Sequence, residues 1–274
     1  MRKNIAKIFI CICMLFCMMP EVSKAQNKKP LNMPNYDNEL FHWGLMVGYN
    51  QMLLSIDYID NFQNISHNPS ELPSSDVLAG TNDLFIDSPF KVYDISPQMT
   101  HGFTVGIVGN LRLAKYFDLR FIPSLSFGER KIVYSIVSIQ GDQADGTYKE
   151  VPKTISSNTH STFVEFPLQV KYRAKRNYNS AAYLLAGANY KIDMASHKKH
   201  YESNGKPKTL SVNRHDIAAE VGAGFDFYTG YFKLGIELKM SYGLLNIAKN
   251  ENYLYSNSFD SLRNKTFQLS FTFE

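Results

Sequence analysis

The sequence holds only three cysteines, Cys11, Cys13 and Cys17, and all of them fall within its first 25 residues. If that segment is removed, the remaining chain has no thiol, which excludes disulfides, thiolate catalysis and cysteine-bound metal. The chain beyond residue 25 also lacks any run of about 18 apolar residues, which is the length that a membrane-spanning helix requires. A disulfide-built domain and a helical membrane protein are therefore both excluded.

Residues 1–25 have the parts of a secretory signal peptide. Basic residues precede an apolar stretch at 8–19, and Ser23-Lys24-Ala25 forms a cleavage site before Gln26. Removing this segment takes away four basic residues and one acidic residue, so the formal net charge falls from +4 to +1. The mature chain then has no basic excess of the kind that nucleic-acid binding needs.

The clearest pattern in the mature chain is a two-residue alternation over residues 216–244. From 217 to 227 the odd positions are apolar, and after Thr229-Gly230 the apolar side chains move to the even positions. A period of two over such a length predicts β-strands, and a short link containing glycine predicts a hairpin.

The polar face of this hairpin carries glycines and charges of both signs, opposite a nearly continuous apolar face. Strands of soluble sandwiches are usually about 5–6 residues long and keep their charges in water. Strands of outer-membrane barrels run about 9–11 residues and place apolar side chains toward lipid and polar ones toward the lumen. Length and charge pattern together predict a membrane barrel.

The same alternation predicts six further strands, which gives an all-β fold: an eight-stranded antiparallel up-and-down transmembrane β-barrel with long extracellular loops. Those strands carry their apolar positions within 41–49, 103–113, 117–127, 164–172, 182–190 and 267–273. Tight turns are predicted around 114–115, 175–178 and 229–230, and long loops at 51–100, 129–161, 193–215 and 246–263. Short turns lie on the periplasmic side of such barrels, so an even strand number predicts that both termini are periplasmic.

The predicted organisation has three parts: a signal peptide at 1–25, a periplasmic N-terminal tail at 26–40, and the barrel at 41–274. The tail is polar and interrupted by Pro30 and Pro34, which predicts extended backbone. The mature chain of about 250 residues has no internal linker, so one large all-β domain accounts for it. Segment 51–100 carries apolar patches at 77–78 and 84–86, which indicate a docking surface or a cover for the barrel.

Eleven charged residues fall on the polar faces of the predicted strands, and we predict that they fill the lumen as a structural ionic network. Six are basic and five are acidic: Arg112, Asp118, Arg120, Glu165, Lys171, Arg173, Glu220, Asp226, Lys233, Glu237 and Lys239. An eight-stranded barrel has a lumen just wide enough for side chains to fill, and buried charges are tolerated when they are paired. An ion path or an acid–base pair is the alternative interpretation.

No motif identifies a catalytic residue, a cofactor or a metal. His197 and His200 have two lysines between them, which favours a solvated loop over a metal site. Gly222-Ala-Gly224 lacks the third glycine and the helix of a dinucleotide fingerprint, and on a strand it predicts room for lumen packing. Serines, histidines and acids in the loops keep a barrel hydrolase as a minor alternative, although no Ser/His/Asp set has a recognisable spacing.

Two stretches at the start of the mature chain and one in the fourth strand carry a family resemblance. They are Leu31-Asn-Met-Pro-Asn-Tyr-Asp37, Phe41-His-Trp-Gly-Leu-Met-Val-Gly-Tyr-Asn-Gln51 and Glu165-Phe-Pro-Leu168, joined by a phenylalanine-rich last strand. The chain in this respect resembles PorT-type proteins, the outer-membrane barrels of the type IX secretion and gliding system of Bacteroidetes. Trp43 departs from the pattern, where phenylalanine is expected. The resemblance implies a role in assembling or operating the secretion machinery and supplies no catalytic residue.

The leading hypothesis is therefore a non-enzymatic integral outer-membrane barrel required for type IX secretion. Its expected partners are the lipid bilayer and other secretion-system proteins, with no nucleic acid and no cofactor. A generic structural or small-solute barrel is the second hypothesis, and a barrel hydrolase is the third.

Overall fold

A computed structural model of the chain describes residues 30–68, 89–141, 148–195, 212–249 and 259–274. The predicted signal peptide, the two histidines of a predicted loop at 197 and 200, and the apolar patches at 77–78 and 84–86 lie outside these residues. Within the described ranges, no helix is long and apolar enough to cross a membrane.

Antiparallel β-strands dominate the described part of the chain. The two 3-10 helices there are Tyr36–Asn38 and Phe62–Asn64, and the strands are β1 (Phe41–Tyr58), β2 (Ser66–His67), β3 (Phe90–Gln98), β4 (Thr100–Arg112), β5 (Phe117–Phe121), β6 (Ser124–Gly141), β7 (Tyr148–Arg173), β8 (Ser180–Asp193), β9 (His215–Tyr228), β10 (Lys233–Gly243) and β11 (Phe259–Phe273).

These strands close into a ring. β1 pairs with β11 on one side and with β4 on the other, and β11 continues through β10, β9 and β8 to β7. β5 and β6 together fill the place between β4 and β7, separated only by Ile122 and Pro123. Pro123 has no N–H to donate to the ladder, and its carbonyl accepts the bond from the Ile107 N–H. The ring therefore has eight strand positions, as the sequence predicted. Its closure leaves the spanning part without an open edge.

The orientation of the side chains is that of a membrane barrel. The outer surface carries a band of exposed apolar residues, here called the apolar belt: Trp43, Leu45, Val47, Phe103, Val105, Ile107, Leu125, Leu168, Val170, Leu184, Val221, Phe225, Leu238, Leu269 and Phe271. The residues that alternate with them face the interior, and most are small or polar, with Met46, Val108 and Leu185 as buried apolar exceptions. Because burial of polar side chains and exposure of hydrocarbon is the reverse of a soluble protein, lipid is the solvent that this surface fits.

The two ends of the barrel differ. One end, here called the terminal mouth, holds residue 41, residue 273 and three tight connections at 113–116, 174–179 and 229–232, all at the predicted places. The opposite end, here called the distal end, is where the strands continue well past the apolar belt.

The prediction of a long loop at 129–161 is wrong. β6 runs on to Gly141 and β7 begins at Tyr148, and the two strands pair over this whole stretch as one long hairpin. The loop predicted at 51–100 is also partly strand, since β1 continues to Tyr58 and β3 begins at Phe90. β11 likewise begins at Phe259, inside the loop predicted at 246–263.

The cause of these errors is an inversion of polarity beyond the apolar belt. In β6, Ser126 is buried and Phe127 faces outward, but further along the buried positions become Ile132, Tyr134 and Ile136. The distal end thus has an apolar interior, formed by Leu54, Phe90, Val92, Ile95, Ile132, Tyr134, Ile136, Ile155, Val212, Ile247, Phe259 and Leu262. The distal strands pack like a soluble sheet, whereas the spanning strands face lipid.

The extended tail predicted before β1 is also corrected over the residues that the structure describes. Tyr36 lies in the 3-10 helix and is buried at the terminal mouth against Ala181 and Tyr228. Prolines and polar residues signal irregular backbone in a sequence, but they do not reveal that one aromatic side chain will dock.

Candidate functional site

The structure places the eleven predicted lumen residues along the inner wall of the barrel. Ten are buried, with side chains that face the interior, and Arg112 is half-buried at the terminal mouth. They do not form one continuous cluster. They separate into layers, which also contain residues that the sequence analysis did not select.

The layer nearest the terminal mouth holds two fully buried ion pairs. Arg120 lies 2.7 Å from Glu237, and the Lys171 ammonium lies 2.7 Å from the Asp226 carboxylate. Tyr183 joins them, because its hydroxyl donates to Glu237 over 3.1 Å while its ring lies 3.7 Å from the Lys171 nitrogen. Each charge in this layer is therefore neutralised at short range, as buried ions require.

Gly224 makes room for this arrangement. A Cβ atom at this position would lie 2.5 Å from the Tyr183 hydroxyl, which is too close for a packed side chain. The Gly222-Ala-Gly224 stretch lies on β9 and not at the start of a helix. Its glycines serve lumen packing, and the dinucleotide interpretation has no structural basis.

The middle layer is centred on Glu220. Its carboxylate accepts hydrogen bonds from the side-chain amides of Gln169 at 2.6 Å and Asn189 at 2.8 Å, and it lies 3.4 Å from the Lys239 ammonium. Asn189 also donates to Glu165 over 3.0 Å. The Asn189 amide thus bridges the Glu220 and Glu165 carboxylates, so these two carboxylates do not form a free acid–base pair.

Lys191 completes the middle layer and was missed in the sequence. It lies 3.5 Å from Glu165 and is buried on the inner face of β8. Asn189 and Tyr183 share that face. The parity of β8, whose even positions are apolar from 182 to 190, would have identified all three as lumen residues.

A third layer closes the lumen toward the distal end. The Arg130 guanidinium binds Asp193, donates to Ser161 over 2.7 Å and to Asn264 over 3.1 Å. Asn264 in turn donates to Asp216 over 2.7 Å. Arg130 belongs to the stretch that the sequence analysis assigned to a loop, which is why it was not selected.

The terminal mouth is covered by residues from both ends of the described chain. The Tyr36 ring stacks on His42 with 3.8 Å between centroids, and its hydroxyl donates to Glu274 over 3.3 Å. Lys233 lies 2.9 Å from the same carboxylate. Burial alone would raise the pKa of Glu274, but Lys233 and the nearby Lys171 and Arg120 hold the pKa of this carboxyl well below its usual range. Glu274 is therefore an ionised part of the network.

The remaining predicted residues meet at the same mouth. Arg112 and Arg173 both donate to Asp37, through its backbone carbonyl and its carboxylate respectively. Arg173 also lies 3.9 Å from Asp118. The 3-10 helix is thus held over the lumen by side chains of the barrel wall.

The chemistry of the lumen is that of paired ions. Each carboxylate of the middle layer has a cation or an amide donor within hydrogen-bonding distance or close to it. Among the described residues, no group of three or more His, Cys, Asp or Glu side chains is placed to hold a metal ion. This arrangement can stabilise the barrel interior and obstruct it.

Comparison with known proteins gives a family match and several structural similarities. The family model described as outer membrane protein beta-barrel domain matches residues 24–249. No curated protein sequence matches the chain.

Among solved structures, the attachment invasion locus protein Ail of Yersinia pestis, in complex with the heparin analogue sucrose octasulfate, is 12% identical with a TM-score of 0.37, and the match covers 86% of this chain and 98% of Ail. Neisserial surface protein A is 12% identical with a TM-score of 0.37, covering 86% of this chain and 99% of that one. The N-terminal β-barrel domain of OprF from Pseudomonas aeruginosa is 14% identical with a TM-score of 0.29, and the match covers 83% of this chain and 97% of the OprF domain. Similarity at this level carries no functional conclusion.

Proposed function

The chain belongs to the outer membrane protein beta-barrel domain family, and from this premise we propose that it is a non-enzymatic, non-conducting barrel that serves type IX protein secretion. It is an integral outer-membrane β-barrel protein in contact with the lipid bilayer. In this proposal both termini lie in the periplasm, and the barrel acts together with other secretion-system proteins.

The observation that carries the non-conducting role is the closure of the lumen at three levels. Paired ions fill the spanning part, an apolar core fills the distal end, and Tyr36 covers the terminal mouth. A barrel that is filled in this way acts through its surfaces and not through a pore. The secretion role itself rests on the resemblance of residues 31–37 and 41–51 to PorT-type proteins.

The test is a clean deletion of the gene, with secreted cargo measured in periplasmic and extracellular fractions. We expect cargo to accumulate in the periplasm while the outer membrane stays intact, and we expect secretion to return when the full-length gene is restored. Normal secretion in the deletion strain would reject the secretion role and leave the generic structural barrel.

A second strain distinguishes the proposed non-enzymatic role from the enzymatic alternative. Replacing both His197 and His200 by alanine should leave folding and secretion unchanged, because neither residue has a chemical role in a non-enzymatic barrel. A double variant that inserts normally into the outer membrane but blocks secretion would favour a metal-dependent or hydrolytic function instead.

A further inference from the structure

Asp37 lies among three arginine side chains at the terminal mouth. Arg173 binds its side chain, the Arg176 guanidinium lies 3.6 Å from the same carboxylate, and Arg112 binds its backbone carbonyl. The Tyr228 hydroxyl adds a hydrogen bond of 2.9 Å. Guanidinium groups and a phenol that converge in this way form the kind of site that recognises a carboxylate.

The Asp37 carboxylate contacts two guanidinium groups of the barrel wall, those of Arg173 and Arg176. The second carboxylate near Arg173 is that of Asp118, which lies 3.9 Å away on the lumen side. Removing the Asp37 carboxylate would take a charge-assisted contact from both arginines, and another carboxylate at the same place would restore it.

An aromatic pocket adjoins the carboxylate site. Tyr36 stacks on His42, meets the Tyr228 ring edge-on with 5.8 Å between centroids, and lies under the Lys233 ammonium at 4.8 Å. The mouth therefore accommodates an aromatic residue followed directly by an acid, which is the pair that the chain itself supplies at 36 and 37.

The segment that carries this pair is attached to the barrel through side chains. Among the described residues, the backbone-to-backbone hydrogen bonds of 33–39 all close within that segment: from Tyr36 to Met33, from Asn38 to Asn35, and from Glu39 to Tyr36. The first backbone bond to the wall in this region joins Leu40 to Arg112. The segment is thus held by side chains, and its release would leave the hydrogen-bonded ring intact.

From these observations we infer that the terminal mouth is a binding site for an acidic peptide segment with an aromatic residue before the acid, occupied in this structure by the chain's own Tyr36 and Asp37. A partner protein that presents the same chemistry displaces the segment and takes its place. The site does not depend on the secretion role, although the periplasmic position of such a partner follows the orientation proposed above.

The test uses a fluorescently labelled synthetic peptide with the sequence of residues 33–40 and a barrel that lacks residues 26–38, purified in detergent. We expect the peptide to bind the shortened barrel and to bind the full-length barrel about 10- to 100-fold more weakly, because the chain's own segment competes. A peptide carrying Asp37→Asn should lose affinity by about 10- to 100-fold, since charge-assisted bonds are lost. Fluorescence anisotropy measures each affinity.

Two controls keep the result interpretable. Arg214→Gln replaces a half-buried arginine near the distal end, away from the terminal mouth, and should leave peptide binding unchanged, whereas Arg173→Gln should weaken it. If the shortened barrel does not fold, full-length protein with Asp37→Asn replaces it, because its own segment then competes poorly. Absence of peptide binding to both barrels, or equal binding of the two peptides, would reject the site and leave the segment as a fixed cover.

Discussion

Glu220 offers the most direct test of the ionic lumen. Glu220→Ala removes the carboxylate that accepts from Gln169 and lies 3.4 Å from Lys239, and both partners stay buried. Asn189 keeps its second bond, to Glu165. The main cost is therefore the unpaired ammonium, and removing one partner of a buried ion pair costs about 3–5 kcal/mol. We expect the free energy of unfolding to fall by that amount.

The natural assay is urea-induced unfolding in lipid vesicles, followed by the fluorescence of Trp43. This is the only tryptophan in the sequence, and its side chain is 72% exposed on the lipid-facing surface. Val221→Ala, the outward neighbour on the same strand, is the matched control and should cost much less. The double variant Glu220→Ala with Lys239→Met should recover most of the loss, since it leaves no buried charge unpaired. A loss below about 1 kcal/mol for Glu220→Ala alone would refute the reasoning.

Three further predictions test the membrane barrel and its orientation. Leu238→Arg, within the apolar belt, should destabilise the barrel by about 2–4 kcal/mol in lipid, whereas Ser55→Arg beyond the belt should cost about 0–1 kcal/mol; equal costs would contradict the position of the belt. The purified barrel should conduct poorly in planar bilayers, because side chains fill a lumen of eight strands; stable porin-sized conductance would reject the filled lumen. A tag at Gly205 should be labelled from outside intact cells and a tag at Gly230 should not, and reversed labelling would invert the proposed topology.

The spanning barrel could be predicted from the sequence because one physical rule acts along each of its strands. Lipid on one side and a crowded polar lumen on the other impose a strict two-residue alternation, seen most clearly in β9 and β10. Where the environment changes, that rule fails. Beyond Arg130 the inner face of β6 becomes apolar, so the alternation of polar and apolar side chains is lost. The sequence pattern therefore predicts a loop where the structure has a strand.

The cover of the terminal mouth by Tyr36 escaped prediction for a different reason. Tyr36 and Glu274 are far apart in the chain and meet only because β1 and β11 are neighbours in the closed ring. A sequence pattern reports on neighbours along a strand, but it contains no signal for a contact that closure of the ring creates. The same holds for the Arg176–Asp37 pair, whose partners belong to a turn and to a short 3-10 helix.

The inversion of polarity also fixes how deep the protein lies in the membrane. Phe127 and Phe267 are outward apolar residues at the edge of the belt, and the next outward residues along their strands are Glu129 and Lys265. Sliding the barrel by one such step, about 6–7 Å along a strand, would draw charges into hydrocarbon or push the phenylalanines into water. Several strands would incur this cost together, so the protein resists vertical displacement in both directions. A bilayer of different thickness would have to adjust to the barrel by stretching or compressing its own lipids.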